Sequence, residues 1–269
     1  MIQAAQSPIN PPISHSQTVL KSKIIMSKVI LVTGGNAGIG YELVKLLASK
    51  PEGHKVYLGA RNQKSGKEVQ DALNAEGLKN VHFIQIDVTD PATIASAKES
   101  IESSDGKLDV LVNNAGISEM DKPQKATTID VAVVRRTMET NLFGLIQTTT
   151  AFVPLLRKSP QAVILNVSTD MASNTTMSTI DIDFLHVVAY NTSKAAANSY
   201  TIALAHELKA DKIKVNAVTP GFTTTKLNGY RPGGKTSAQG AEILAPWALL
   251  DENGPTGLFI DEHGKELAW

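Results

Sequence analysis

From Lys28 onward, short runs of β-branched and other apolar residues alternate with longer stretches whose apolar positions recur every three or four residues. Lys28–Thr33 (KVILVT), Lys55–Ala60 (KVYLGA), Val81–Asp87 (VHFIQID), Leu108–Asn114 (LDVLVNN), Ala162–Ser168 (AVILNVS) and Ile213–Thr219 (IKVNAVT) read as six strands, and Gly257–Asp261 (GLFID) as a shorter seventh. Most are continuous apolar runs, the pattern of parallel strands covered on both faces. Between them, Ile39–Ser49 places Leu43, Leu46 and Leu47 on one helical face, and Pro91–Ser103 begins with a proline behind a capping Asp90. Ile129–Leu156 reads as one long helix that Pro154 bends or ends. Strands alternating with helices predict an α/β fold, a Rossmann-type doubly wound parallel sheet of about seven strands with helices on both faces.

No internal repeat or interior linker divides this pattern, so residues 28–269 read as a single dinucleotide-binding and catalytic domain behind a flexible extension over residues 1–27. The extension is rich in Ser, Pro and Gln, lacks a long apolar core, and carries Pro8, Pro11 and Pro12. These features argue against a secretory signal and an amphipathic transit helix. Two stretches lack clear periodicity, Met171–Val188 and Thr223–Pro246. Both leave the carboxyl ends of strands, where ligands bind in an open parallel sheet, so both are expected to be substrate loops. Met171, Met177, Phe184, Phe222 and Trp247 offer apolar surface there.

Composition narrows the chemistry. The 269 residues hold 26 Lys+Arg against 26 Asp+Glu and no cysteine. Balanced charge argues against a general nucleic-acid binder and favours a small-molecule site. The absence of cysteine removes thiol catalysis, Cys-ligated zinc and iron–sulfur clusters. No stretch approaches the ~18 apolar residues of a membrane span, and the chain is read as soluble and cytoplasmic. The six histidines show no H-E-x-x-H or paired ligand spacing, and no metal is expected. His186, four residues before Tyr190, reads as an ordinary loop histidine.

The first strand runs directly into Thr33–Gly40 (TGGNAGIG) and then a helix. Gly34, Asn36, Gly38, Ile39 and Gly40 thereby form a turn in which the backbone can approach a pyrophosphate and free helix N–H groups face the anion. At the end of the second strand, Ala60 occupies the place of the acidic residue that binds an unphosphorylated ribose, and Arg61 follows. A guanidinium suits a 2′-phosphate, so NADP(H) is preferred over NAD(H), which remains possible; a solvated strand-end arginine is the plainer reading. Asp87 and Val88 end the third strand, with Asp87 placed to accept from an adenine amine or to cap the next helix. Asn114, Ala115 and Gly116 follow Asn113 at the end of the fourth, where small and amide residues let the chain pass close to adenosine.

Tyr190 and Lys194 stand one helical turn apart. A phenol is a poor acid or base near neutrality, and a neighbouring ammonium is expected to lower its pKa.

In this order the motifs resemble the short-chain dehydrogenase/reductase family, from Lys28 to Trp269. The resemblance rests on T-G-x-x-x-G-I-G at Thr33–Gly40, N-N-A-G at Asn113–Gly116, Asn141 in the long helix, N-V-S-T at Asn166–Thr169, Y-N-T-S-K at Tyr190–Lys194 and Pro220-Gly221. It implies that Tyr190 is the acid/base and that Lys194 lowers its pKa and holds the nicotinamide ribose. It further implies that a strand-end hydroxyl orients the carbonyl and that Asn141 supports a water-linked proton relay. Gly34, Ile39, Asp87, Asn114, Thr223 and Thr225 would line the cofactor, with Pro220 and Gly221 passing the nicotinamide. Where the family usually has a second serine, this chain has Thr169 after Ser168; both carry a hydroxyl, and Thr169 is the first choice. Tyr190 follows Thr169 by 21 positions instead of about a dozen, which implies a reshaped substrate entrance. The expected protein is an NADP(H)-dependent carbonyl reductase or alcohol dehydrogenase acting on a small molecule, as a homodimer or homotetramer. An NAD-dependent alcohol dehydrogenase and a catalytically silent NADPH-binding regulator are the alternatives.

Overall fold

A computed structural model describes residues 27–269 of the chain. The extension expected over residues 1–27 therefore lies, but for Ser27, outside the described residues. Seven parallel strands form one sheet: β1 (Val29–Thr33), β2 (Lys55–Ala60), β3 (Val81–Gln85), β4 (Val110–Asn113), β5 (Val163–Val167), β6 (Lys214–Val218) and β7 (Phe259–Ile260). They lie in the order β3-β2-β1-β4-β5-β6-β7, so the chain changes direction between β1 and β4. That switch point opens a crevice beyond the strand ends. Pairing of Thr33 with Gly59 and of Asn113 with Asn166 keeps the carboxyl ends level around it.

Helices cover both faces. On one, α1 (Gly38–Ala48), α2 (Gln63–Ala75) and α8 (Ser237–Ala248) bury Leu43, Leu47, Leu73 and Leu244 against Ile30, Val32 and Leu58. On the other, α3 (Pro91–Asp105), α5 (Gly144–Leu156) and α7 (Val188–Glu207) bury Ile101, Phe152, Leu155 and Leu204 against Leu31, Leu111 and Ile164. Each such side chain contributes about 1.5–3 kcal/mol by leaving water. Asp90 caps α3 as its position before Pro91 predicts, accepting from Ala92 N at 2.9 Å.

Three expectations change. The long helix starts after its cap Asp130 and is divided: α4 (Val131–Met138) leads into a π turn, Glu139–Phe143, before α5. Pro154 lies within α5, which ends two residues later. The stretch 223–246 is not irregular throughout, because α8 occupies its second half and packs on α1. Apart from Leu244, its buried face is built of small residues, Gly240, Ala241, Ala245 and Ala248, which weaken the apolar periodicity. Trp247 accordingly packs with the α1 and α8 core, not in a substrate pocket. The stretch 171–188 holds a four-residue helix, α6 (Asn174–Met177), and short 3₁₀ turns at Asp170–Ala172 and Asp183–Leu185. No described helix is long and apolar enough to cross a membrane.

Candidate active site

The glycine turn lies between β1 and α1. Gly34 and Gly38 adopt φ of 65° and 56°, a region that side chains disfavour. A Cβ on Gly40 would collide with the Gly34 carbonyl oxygen and the Asn114 amide, so the closeness of turn and helix depends on this glycine. Asn114 braces the turn from β4, its Nδ2 donating to Thr33 O at 2.9 Å and Gly34 O at 3.2 Å. Thr33 Oγ1 returns the contact by accepting from Asn114 N and Ala115 N, both at 3.1 Å. Ala37 precedes α1 and offers no capping side chain, which leaves first-turn N–H groups turned to the crevice. Asn36 reaches sideways to Ser65 Oγ at 3.3 Å, and Thr225 stands against Gly38.

Arg61 follows β2 with an exposed side chain. It lines an open cleft of about 410 Å³ with Ile117, Glu119, Arg136, Glu139 and Thr140. Asp87 Oδ1 accepts from Thr89 N at 2.9 Å and Thr89 Oγ1 at 2.7 Å, which shapes the turn after β3. Val88 is buried against Gly144, with its carbonyl taken by Gln147. Beyond β6, Gly221 N donates to Thr219 Oγ1 at 3.0 Å after Pro220, and Thr223 is buried with its hydroxyl on Gly221 O.

Tyr190 and Lys194 lie in the first two turns of α7, both buried, beside the carboxyl end of β5. Burial raises the Tyr190 phenol to about 12; the Asp170 carboxylate pushes the same way, and a side-chain hydrogen bond with Thr169 opposes them. Burial lowers Lys194 to about 8. Lys194 Nζ donates to Val167 O at 2.8 Å. The expected lowering of the phenol is thus reversed in the protein alone: burial dominates, the Asp170 carboxylate adds to it, and the Lys194 ammonium is turned to a strand carbonyl.

The two candidate hydroxyls have different partners. Ser168 Oγ donates to Asn198 Oδ1 at 2.7 Å inside the α7 packing, whereas Thr169 Oγ1 accepts from Met171 N at 3.4 Å and lies beside the Tyr190 phenol. Asn141, in the π turn, is buried, and both ends of its amide are engaged. Its Oδ1 accepts from Ile117 N at 2.9 Å, and its Nδ2 donates to Ile117 O at 2.8 Å and Ser193 Oγ at 2.9 Å. Ser193 in turn donates to Tyr190 O at 2.8 Å. A Cβ on Gly116 would stand 3.2 Å from Asn141 Oδ1 and 3.6 Å from Lys194 Nζ, which places all three at one point of the crevice. His186 is exposed and braces its own loop through a ring nitrogen 2.9 Å from Ile180 O.

Other contacts gave no local sequence signal. Arg231 lies over the Phe184 ring at 4.4 Å and joins the stretches 171–188 and 223–246. The C-terminus closes behind the first loop: Trp269 stacks on Phe259, and Ser173 Oγ donates to Ala268 O at 2.6 Å. Gln124 bonds to the start of α7 from far away in the chain.

The sequence profile described as short chain dehydrogenase matches residues 28–234. The chain belongs to this family. It is 30% identical to a (+)-neomenthol dehydrogenase of Capsicum annuum, over 93% of this chain and all of that protein. It is 31% identical to a salutaridine reductase of Papaver somniferum, over 86% of this chain and 93% of the relative. Among solved structures, NADPH-bound carbonyl reductase from chicken fatty liver superposes with a TM-score of 0.81 at 26% identity, covering 91% of this chain and all of that one.

Proposed function

We propose that the protein is an NADP(H)-dependent carbonyl reductase in which Tyr190 is the proton donor. The observation that carries this reading is the buried Tyr190 phenol with the Thr169 hydroxyl on it and Lys194 one turn away, at the end of β5. The crevice residues fit a dinucleotide. The uncapped start of α1 and the close approach at Gly40 suit a pyrophosphate, and Arg61 replaces the acid that would hold an unphosphorylated ribose. When bound, NADPH supplies the hydride.

The residues of this chain manage the oxygen. As the carbonyl carbon is reduced, negative charge develops on its oxygen, and Tyr190 transfers its phenolic proton there. Thr169 donates a hydrogen bond to the same oxygen and is already placed before charge develops. A phenol held near 12 is protonated at neutral pH, which suits reduction; the reverse oxidation needs the phenolate and gains from alkaline pH. Lys194 binds the ribose side of the site, and Asn141, held by Ile117 and Ser193, supports a water-linked proton relay.

The relatives named as neomenthol dehydrogenase and carbonyl reductase support a ketone or aldehyde on an apolar skeleton. Phe184, Phe222 and Leu227 give the loop region an exposed apolar surface that suits such a molecule. Exposed Val131, Phe143 and Ile202 on the long helical segments suit the expected association of copies. NADPH oxidation followed across cyclic terpenoid ketones, aromatic aldehydes and quinones tests the reading. Turnover with at least one class supports it, whereas NADPH binding without turnover on any would favour the silent regulator.

A further inference from the structure

Helix α7 begins at Val188, and the preceding residue, Val187, has no side-chain acceptor for the free N–H groups of the first turn. The missing acceptor comes from Gln124, 66 positions before Tyr190. Gln124 Oε1 accepts from Ala189 N at 3.1 Å and Tyr190 N at 3.3 Å, the second and third N–H groups, which a capping Ser or Asp would ordinarily take. Gln124 O accepts from Val188 N at 3.2 Å. The other end of the amide is equally committed: Nε2 donates to Ser118 O at 2.7 Å and Glu119 O at 2.9 Å. Glu119 holds a φ of 47°, unfavourable for a residue with a side chain, and its carbonyl is fixed by this bond. Ser118 reaches onward, its hydroxyl donating to Leu227 O in the short turn Lys226–Asn228 that follows Thr225. Gln124 is 5% exposed, so water does not substitute for these partners.

We infer that Gln124 is a positioning residue: its buried side-chain amide caps α7 from outside the helix and fixes Tyr190 relative to the segment after β4 and the turn beside the cofactor crevice. The inference rests on the acid/base role proposed for Tyr190. Tyr190 is the third residue of the helix, so loss of the cap frays the turn that carries the phenol. A misplacement of about 1 Å is enough to slow a proton transfer on the order of a hundredfold.

The test uses full-length Gln124→Leu, which keeps much of the volume and removes the amide, with NADPH and a ketone that the wild type reduces. The expected result is a kcat lowered on the order of tenfold to a hundredfold with NADPH Kd within about twofold, because geometry is lost and cofactor contacts are not. The alkaline fall in kcat for reduction, which follows loss of the Tyr190 proton, moves to lower pH as well, because a frayed turn admits water to the buried phenol; a purely structural role would not produce this. Gln124→Glu, which keeps an acceptor over the Ala189 and Tyr190 N–H groups but turns its second oxygen onto Ser118 O and Glu119 O, recovers only part of the turnover. If Gln124→Leu does not fold, Gln124→Asn, whose shorter amide cannot span both sides, is read instead. A folded variant with unchanged kcat and pH profile overturns the inference. So does a kcat loss matched by an equal loss of NADPH affinity with the pH limb unmoved. Tyr190→Phe assayed alongside separates the two readings. If it stays active, the acid/base role fails and positioning with it; if it is inactive while Gln124→Leu behaves as wild type, only the positioning role fails.

Discussion

Ser168 donates its hydroxyl hydrogen to Asn198 Oδ1 at 2.7 Å, and that bond turns it away from Tyr190 while its neighbour Thr169 faces the phenol. The two hydroxyls therefore have separable roles. Thr169→Ala is expected to lower kcat by about 10²–10³, the usual cost of one donor to a developing oxyanion, with little change in Tm. Ser168→Ala leaves Asn198 Oδ1 without its donor, beside an Nδ2 that already lacks a partner, and costs about 1–3 kcal/mol of stability with kcat nearly unchanged. Steady-state kinetics and urea melts of both variants check the assignment; the reverse pattern would give the role to Ser168.

We propose that Arg61 governs the choice of cofactor. Hydrogen bonds to charged groups contribute about 1.5–3 kcal/mol, so Arg61→Glu should lower kcat/KM for NADPH about tenfold to a hundredfold. Activity with NADH should hold or rise. An unchanged ratio between the two cofactors would make Arg61 a solvated strand-end residue.

Gly40→Ala puts a methyl group into the Gly34 carbonyl and the Asn114 amide. The backbone at this point has no slack, so a loss of about 1–3 kcal/mol in stability is expected. NADPH affinity should fall with it, because the same approach shapes the crevice. Fluorescence titration of NADPH and thermal melts measure the two effects.

Lys194 gives stability a pH dependence of known sign. Its proton is held less tightly in the folded chain, near 8 against an ordinary 10.5, so between those values the unfolded chain carries the extra proton. Stability therefore rises as pH goes from about 8 towards 10.5, and the penalty of burying the charge is fully present below about 8. Urea melts of wild type and Lys194→Met at pH 7 and 9.5 isolate this group, since other titrations cancel in the difference. Parallel curves would show that Lys194 titrates normally.

The strands were legible because residues buried on both sides of a parallel sheet leave continuous apolar runs, as in Val29–Thr33 and Val163–Val167. Helix α8 was obscured by its own packing: Gly240 approaches Ile39 so closely that a large residue has no room, and Pro246 reads as a breaker although it lies inside the helix. In the site, the glycine turn and the Tyr190–Lys194 pair are local patterns, visible in the order of residues. The direction of Ser168 and the reach of Gln124 are tertiary facts, since each depends on a partner tens of residues away. The pKa of Tyr190 goes the opposite way to expectation because burial, which spacing does not reveal, dominates and the Asp170 carboxylate adds to it.

The central claim is that Tyr190 supplies the proton. Tyr190→Phe removes one oxygen and leaves the ring that fills the buried site, so NADPH Kd should stay within about twofold while kcat for ketone reduction falls by about 10²–10⁴, the range of general acid catalysis. Substantial turnover in that variant, with NADPH still bound, would contradict the account.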